Sequence, residues 1–139
     1  MVKLISPARI WREKKAHYML EGLRCKKCNS ILYPPRPVCN KCSSRDLEPI
    51  RLPHEGKLIS YTILHDTPYG FRSYAPLIIG IVELTNGVRV LATLTDVSSE
   101  EIRVGMEVEA VLRKIHDQGE YGPIAYALKF RPKIKSKSR

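Results

Sequence analysis

All four cysteines of this chain lie within one segment, CKKCNSILYPPRPVCNKC at residues 25–42. Their spacing is C-x2-C-x10-C-x2-C, and it is formed by Cys25, Cys28, Cys39 and Cys42. Each CxxC pair can offer two thiolates to one ion from a single tight turn, and the spacer brings the second pair back to complete a tetrahedron. The pattern predicts a structural zinc site, closed to water because protein ligands fill the coordination sphere.

Two other uses of the cysteines compete with zinc. Iron in a rubredoxin-like site would need the same thiolates, whereas two disulfides would need an oxidising compartment. The amino-terminal sequence MVKLISPARIWREKK has no apolar region typical of a secretory signal. We therefore expect a reducing, cytoplasmic environment and a bound metal ion. Lys26, Lys27 and Lys41 lie within the two CxxC turns, where they can offset the negative charge of four thiolates.

The chain is strongly basic, with a formal net charge of +10. Six cations lie near its carboxyl-terminal end: Lys129, Arg131, Lys133, Lys135, Lys137 and Arg139. This charge suits nucleic acid, a small polyanion or an acidic protein partner, or it serves solubility alone. The longest apolar run, PLIIGIVEL at 76–84, has the length of a strand and is too short to cross a membrane.

Residues 1–22 predict an amphipathic helical segment. Ser6 followed by Pro7 is a favourable helix start, with serine as the N-cap and proline at the first helical position. We expect the helix to end near Gly22. Trp11 lies on its more apolar face, where we expect it to act as a packing anchor, and that face can also dock onto another protein.

From residue 55 onward, hydrophobic residues alternate with the period of two that indicates strands. Four segments show this pattern, 56–65, 88–94, 106–116 and 124–130, and a fifth strand-length segment, 76–84, is apolar on both faces. In chain order, only a short helical turn fits between the third and the fourth. Five strands with this one interruption predict an OB-fold barrel, although an SH3-like barrel has the same number of strands.

Three details of these strands can be predicted. The first strand places Ile59, Tyr61 and Ile63 on one face. Gly80, inside the second strand, suggests a bulge or a sharp coil. Asn86-Gly87 predicts a type I′ hairpin between the second and third strands.

The segment DTPYGFRSYAP at residues 66–76 is the candidate binding loop. It carries Tyr69, Phe71 and Tyr74 beside Arg72, and in an OB-fold it corresponds to the loop between the first two strands, which often binds ligand. Aromatic rings beside a cation suit stacking on bases or on an adenine ring. The rings can instead cover the end of the barrel. Arg36, in the cysteine spacer, is a further candidate for contact with a phosphate.

No catalytic motif is recognisable. The sequence contains no GxSxG, Walker loop, HExxH or GxGxxG, and its four histidines are scattered. We therefore predict that the protein is not an enzyme.

The segments GLRCKKC…YPPRPVCNKC, GKLISYTILH, YAPLIIGIVEL, VRVLATL, IRVGMEVEAVLR and YALKFRP together resemble the DUF35 family, from about residue 11 to residue 132. The resemblance implies a mainly β fold, in which an N-terminal helical segment (1–22) precedes a rubredoxin-like zinc ribbon (23–48). A five-stranded OB-fold (49–132) would follow. The basic tail (133–139) lies outside the resemblance, and we expect it to be flexible.

The same resemblance implies a role in acyl-CoA metabolism. Proteins of this family accompany thiolases, and some bridge a thiolase to a 3-hydroxy-3-methylglutaryl-CoA synthase and share in a CoA-binding channel. We accordingly expect a scaffold subunit that binds acyl-CoA, with no membrane association. The alternative is an OB-fold that binds single-stranded nucleic acid through the barrel, the loop and the basic tail.

Overall fold

A computed structural model of the chain describes residues 6–68, 70–117, 120–122 and 124–134. The chain divides into two compact units. Met1–Leu52 with Arg113–Leu128 form the first, and Pro53–Leu112 with Lys129–Arg139 form the second. None of the helices in the described ranges combines the length and the apolar character needed to cross a membrane.

The first unit begins with helix α1, Pro7–Met19, with Ser6 at the N-cap as predicted. The helix ends before Gly22 because Leu20 adopts a left-handed conformation, with φ of 48°, and a strand follows. No residue of α1 is buried, and 70% of Trp11 is exposed, with the Lys14 ammonium 3.4 Å from its ring centroid. The predicted role of Trp11 as a packing anchor in this chain is therefore wrong.

A three-stranded antiparallel sheet follows in the first unit, with the order β2-β1-β3. Its strands are β1, Glu21–Cys25, β2, Ile31–Leu32, and β3, Leu47–Arg51. The small core under this sheet consists of Cys25, Leu32 and Cys39, and Leu23 and Leu47 pack against it. Two of the three buried residues of that core are cysteines, so the unit depends on what the cysteines bind.

The remaining strands form a five-stranded sheet with the order β6-β5-β4-β7-β8. They are β4, Glu55–Leu64, β5, Leu77–Leu84, β6, Arg89–Thr93, β7, Glu107–Asp117, and β8, Ile124–Pro132. A parallel bridge between Leu94 and Phe130 joins the two ends of this order, and the Thr95 N–H donates to the Phe130 carbonyl at 2.8 Å. The sheet is therefore a nearly closed barrel, which confirms the predicted OB-fold.

The barrel core is aliphatic around one aromatic ring. Leu58, Val82, Val108 and Phe130 are essentially inaccessible to solvent, and each comes from a different strand. Between β6 and β7, the amides of Glu101 and Ile102 donate to the Ser98 carbonyl, and this is the single helical turn that was predicted.

The predicted bulge is present, but it lies in β4 and not at Gly80. Leu58 pairs with Val82 and Ser60 with Ile81, which leaves Ile59 as the extra, exposed residue. The prediction that Ile59 shares a face with Tyr61 and Ile63 is therefore wrong, because the bulge shifts the alternation by one residue.

Gly80 allows β5 to approach its neighbours closely. A Cβ at this position would lie 2.6 Å from Leu58 Cδ1, 2.8 Å from Leu94 Cδ1 and 3.0 Å from the Ser60 carbonyl oxygen. A side chain there would require the opposite strand to move, so glycine is needed for packing.

The β5–β6 hairpin differs from the predicted type I′ turn. Its loop has three residues, closed by hydrogen bonds from Gly87 N–H to the Leu84 carbonyl and from Leu84 N–H to the Val88 carbonyl, both 2.8 Å. Gly87 has a φ of +81°, whereas Asn86 is not among the residues with positive φ. A type I′ turn needs positive φ at both central residues, so this is the three-residue hairpin with glycine in the left-handed position.

Candidate functional site

The first CxxC turn is closed by backbone hydrogen bonds. The Cys25 N–H donates to the Ser30 carbonyl, and the Asn29 N–H donates to the Cys25 carbonyl, both at 2.9 Å. Asn29 lies in the left-handed region, with φ of 55°, a conformation that asparagine tolerates better than most residues. This sharp turn directs both sulfur atoms of the pair to one side.

The second CxxC turn repeats the first. The Cys39 N–H donates to the Ser44 carbonyl at 2.9 Å, and the Ser43 N–H donates to the Cys39 carbonyl at 3.0 Å. Ser43 has a φ of 56°, matching Asn29. Two equivalent turns, one on each side of the spacer, supply the two halves of one site.

All four Sγ atoms lie within 4.8 Å of one another. The Cys25 and Cys42 sulfurs are 3.4 Å apart, and those of Cys28 and Cys39 are 3.5 Å apart. A tetrahedron with Zn–S bonds of about 2.3 Å has S···S edges of about 3.8 Å, so the cluster has the dimensions that such an ion needs. In the described part of the chain, this is the one group of three or more potential ligands placed to bind a metal.

Burial differs between the two cysteines of each pair. Cys25 and Cys39 are buried, whereas Cys28 and Cys42 are exposed. Each turn therefore places one ligand in the small core and one at the surface. The neighbouring lysines, Lys26, Lys27 and Lys41, are all exposed. The Lys26 ammonium lies 3.5 Å from the Asp46 carboxylate.

Ser30 is the polar side chain closest to the cluster, with its Oγ 3.0 Å from the Cys28 sulfur and 3.2 Å from the Cys39 sulfur. Its hydroxyl can donate to a thiolate and stabilise the charged form. The contact with this hydroxyl is the first cause of the fall in the pKa of Cys39 to about 6, and the corresponding contact is the first cause of the lowered pKa of Cys28, although the one hydroxyl proton is donated to only one sulfur at a time. Ser30 was not recognised in the sequence, since a serine two residues after a cysteine carries no distinctive signal.

Cys42 shows the opposite behaviour. A backbone hydrogen bond at Ser44 favours its thiolate, but the neighbouring thiols, Cys25 first among them, together with local loss of solvation beside the cluster, raise the pKa of Cys42 to about 12 although its side chain is exposed. Without a cation, four clustered sulfurs cannot all be charged, so a proton is retained. A bound divalent ion would displace that proton, which is the behaviour expected of metal-binding thiols.

In the candidate binding loop of the second unit, the described residues form a short turn. The Phe71 N–H donates to the Pro68 carbonyl at 3.0 Å, and a single 3₁₀ turn, Arg72–Tyr74, follows. Phe71 and Tyr74 are half-buried and Arg72 is exposed. Tyr69 lies outside the described residues.

The Tyr74 ring has a cationic neighbour that the sequence analysis missed. The Lys129 ammonium lies 4.7 Å from the ring centroid, and only 8% of Lys129 is exposed. The alternation in β8 puts this residue out of phase with Phe130, so the pattern gave no reason to expect a buried lysine. The structure thus places Lys129 against Tyr74, in the same loop as Phe71 and Arg72, whereas Arg36 is an exposed residue of the first unit.

Two other cations of the predicted basic end make ion pairs within the second unit. The Arg131 guanidinium lies 2.8 Å from the Glu109 carboxylate, and the Lys133 ammonium lies 2.7 Å from that of Glu55. The Glu55 carboxylate also raises the pKa of Lys133. Lys135, Lys137 and Arg139 lie outside the described residues. These pairs reduce the positive charge available to a polyanion.

OB-folds commonly bind oligonucleotides on the outer face of their second and third strands, here β5 and β6. On this face Ile81 lies opposite Leu91, and 37% and 73% of these residues are exposed. Glu83 lies opposite Arg89, and the two form an ion pair at 3.0 Å. Neither strand contains an aromatic residue, so this surface is aliphatic.

Comparison with known proteins identifies both parts of the chain. Residues 12–48 match the rubredoxin-like zinc ribbon domain of ChsH2, and residues 50–113 match its C-terminal OB-fold domain. A protein of Pyrococcus furiosus described as a DUF35 domain-containing scaffold protein is 45% identical over 136 residues, which cover 98% of this chain and 99% of the relative.

Two further relatives differ more. The benzoylsuccinyl-CoA thiolase subunit BbsA of Thauera aromatica is 29% identical over 112 residues, covering 81% of this chain and 75% of the subunit. The solved structure of an Ltp2-ChsH2(DUF35) aldolase contains a chain with 27% identity and a TM-score of 0.70, over 95% of this chain and 98% of that one. From its paired CxxC turns, its barrel and these matches, we conclude that the chain belongs to the DUF35 family.

Proposed function

We propose that this protein is a non-catalytic scaffold subunit of a thiolase-type enzyme, with a structural zinc ion and an acyl-CoA site at the loop of residues 66–76. The observation that carries the scaffold role is the 45% identity, over nearly the whole chain, to a relative described as a DUF35 domain-containing scaffold protein. The partner class and the ligand rest on the further arguments below.

The zinc ion would be bound by Cys25, Cys28, Cys39 and Cys42. Four thiolates leave no position for water or substrate, so the ion would stabilise the ribbon and take no part in a reaction. Because two of the ligands, Cys25 and Cys39, belong to the small core of the first unit, removal of the ion would take away the bonds that hold this core together.

The choice of a thiolase-type partner is supported by two of the relatives. One is described as a subunit of benzoylsuccinyl-CoA thiolase, and the other is a component of the Ltp2-ChsH2(DUF35) aldolase. The family resemblance adds a CoA-condensing synthase, of the 3-hydroxy-3-methylglutaryl-CoA type, as a second possible partner. A scaffold for either enzyme needs docking surfaces, and the aliphatic outer face of β5 and β6 is one surface of this kind.

The acyl-CoA site is supported by the chemistry of the loop. A half-buried tyrosine beside a buried ammonium, with Arg72 exposed nearby in sequence, suits a ligand that carries both an adenine ring and phosphates. Coenzyme A carries both. Because Lys129 is largely buried, its side chain already has a fixed position. Little side-chain entropy would therefore be lost when a phosphate binds.

Single-stranded nucleic acid is less well supported as a ligand. Base stacking needs exposed aromatic rings, whereas the outer face of β5 and β6 presents Ile81 and Leu91. Its one arginine, Arg89, is paired with Glu83. An aliphatic surface of this kind fits contact with another protein better than contact with bases.

The test is co-purification of the full chain with the thiolase of the same cell, after nuclease treatment, followed by light scattering to measure the mass of the complex. We expect a stable complex and acetyl-CoA binding that is weakened several-fold by Arg72→Ala. The variant Arg45→Ala is the matched control, since it removes an exposed arginine from the other unit. A thiolase that never associates with the chain would refute the scaffold role. Equal acetyl-CoA binding by Arg72→Ala and the unmodified chain would refute the loop site.

A further inference from the structure

Strand β6 has one edge that carries unpaired backbone groups. The hydrogen bond from the Leu94 N–H to the Ile78 carbonyl, 2.9 Å, fixes which residues of β6 bond to β5. In an antiparallel pair, every second residue bonds to the neighbouring strand through both its N–H and its C=O. Val90 therefore bonds to β5, whereas the N–H and C=O groups of Arg89 and Leu91 point away from β5, toward the open edge. Within the described residues, β6 pairs with β5 along its length and meets β8 only beyond it, at the Leu94 bridge.

The side chains along this edge are unusual for an unprotected strand. Edge strands are normally protected by lysine, proline, bulges or a covering segment. The strand RVLAT has neither proline nor lysine, and its central Leu91 is 73% exposed. Its single charge, on Arg89, is already paired with Glu83.

Leu91 is also not isolated. It lies opposite Ile81 of β5, and the exposed bulge residue Ile59 lies in the next strand, β4. The sheet therefore offers free backbone hydrogen-bonding groups beside an aliphatic surface. These are the two components of recognition by strand addition, in which backbone bonds give affinity and alternate side chains give specificity.

We infer that the edge of β6 accepts an extended strand of the thiolase-type partner, whose apolar side chains contact Leu91, while Ile81 continues the apolar surface behind it. This inference rests on the proposed function, and it identifies the surface through which the scaffold binds its partner. A partner strand fits better than a second copy of this chain, because the net charge of +10 on each copy opposes self-association and favours a partner with acidic residues at its interface.

The backbone contribution is tested with Arg89→Pro, compared with Arg89→Ala. Both variants lose the ion pair with Glu83, but only proline removes the N–H that faces the open edge, and neither removes a hydrogen bond to β5. Titration calorimetry with the purified thiolase measures the effect. We expect Arg89→Ala to bind with nearly unchanged Kd, and Arg89→Pro to raise Kd by about tenfold, as the loss of a buried hydrogen bond predicts.

The side-chain contribution is tested with Leu91→Glu, which we expect to raise Kd by about tenfold or more, as for a central apolar contact. Val104→Glu is the control, because Val104 is a similarly exposed aliphatic residue of the same unit, with 64% exposure, outside the strands. Amide hydrogen exchange on the unmodified chain avoids any question of folding. In the complex, the Leu91 N–H should become protected, whereas the Val90 N–H is protected with or without the partner.

The possible results separate this inference from the proposed function. If thiolase binds the unmodified chain, while Arg89→Pro and Leu91→Glu bind equally well, the scaffold role stands and the β6 edge is the wrong surface. If thiolase does not bind the unmodified chain, both proposals fail. If the chain alone sediments as a dimer that Arg89→Pro dissociates, the edge binds a second copy and the inference is overturned.

Discussion

Replacing Ser30 by alanine should weaken zinc binding in a pH-dependent way. The Ser30 hydroxyl is the largest influence among those that lower the pKa of Cys39 from 9.0 to about 6. At pH 7 a thiol with a pKa of 6 is about nine-tenths ionised, whereas one with a pKa of 9 is about one-hundredth ionised. Loss of the whole shift would therefore cost about a hundredfold in apparent affinity, since zinc binds the thiolate.

Backbone hydrogen bonds at Cys42 and Lys41 also favour the Cys39 thiolate, and they remain in the variant. We therefore expect a loss of about tenfold near pH 7, within the range found for groups that orient metal ligands. The sign follows from the lowered pKa: Cys39 is charged above about pH 6 in the unmodified chain and only above about pH 9 once the shift is lost. The difference should vanish near pH 10, where both are ionised.

Competition with a chromogenic zinc chelator, at about pH 7 and about pH 10, measures this effect. Ser44→Ala is the matched control, because Ser44 occupies the position equivalent to Ser30 in the second turn. Its hydroxyl accepts a hydrogen bond from the Asp46 N–H at 3.1 Å. Equal zinc affinity for Ser30→Ala and the unmodified chain near pH 7, or an equal loss in Ser44→Ala, would refute the reasoning.

Two further predictions concern stability. Cys28→Ser should abolish tight zinc binding and, because such sites contribute about 10–16 kcal/mol of apparent binding energy to folding, melt β1–β3 of the first unit. Calorimetry would detect the lost transition, and a chelator that leaves the melting of the unmodified chain unchanged would argue against a structural ion. Gly80→Ala should destabilise the barrel by about 1–3 kcal/mol through crowding against the Ser60 carbonyl and Leu94. The control, Gly87→Ala, has no neighbour within 4 Å of the added Cβ and a φ of +81°, and should cost about 1 kcal/mol from its left-handed backbone. Urea unfolding compares the two, and an effect of Gly80→Ala no larger than that of Gly87→Ala would show that packing does not require the glycine.

The parts of the fold that could be predicted are those that depend on regular residue patterns along the chain. The alternation of apolar residues located four barrel strands and a continuous apolar run located the fifth, β5. The cysteine spacing identified the four sulfurs that the structure brings together. Hydrophobic periodicity and cysteine spacing are both regular spacings along the chain, so they can be recognised in one sequence without knowledge of the folded structure.

The parts that were missed or misplaced depend on distant neighbours. The ribbon strand EGLRC buries a glycine and a cysteine, so it shows none of the alternation that indicates a strand. The bulge at Ile59 depends on the pairing of β4 with β5 near Gly80, and no residue next to Ile59 in the sequence indicates it. Lys129 is buried beside Tyr74, more than fifty positions away in the chain, although its alternation in β8 would have placed it outward.

The pairing pattern also sets an order in which the parts can form during synthesis on the ribosome. Ribbon pairs such as Leu23 with Leu32, and the two turns at Cys25 and Cys39, join residues that are close in the chain, so closing them costs little entropy. The barrel needs Glu55 to meet Glu109, and it closes only when Phe130 reaches Leu94. The metal-binding turns can therefore be complete while β7 and β8 are still being made, and the barrel becomes a closed structure only after the ribosome has released Phe130.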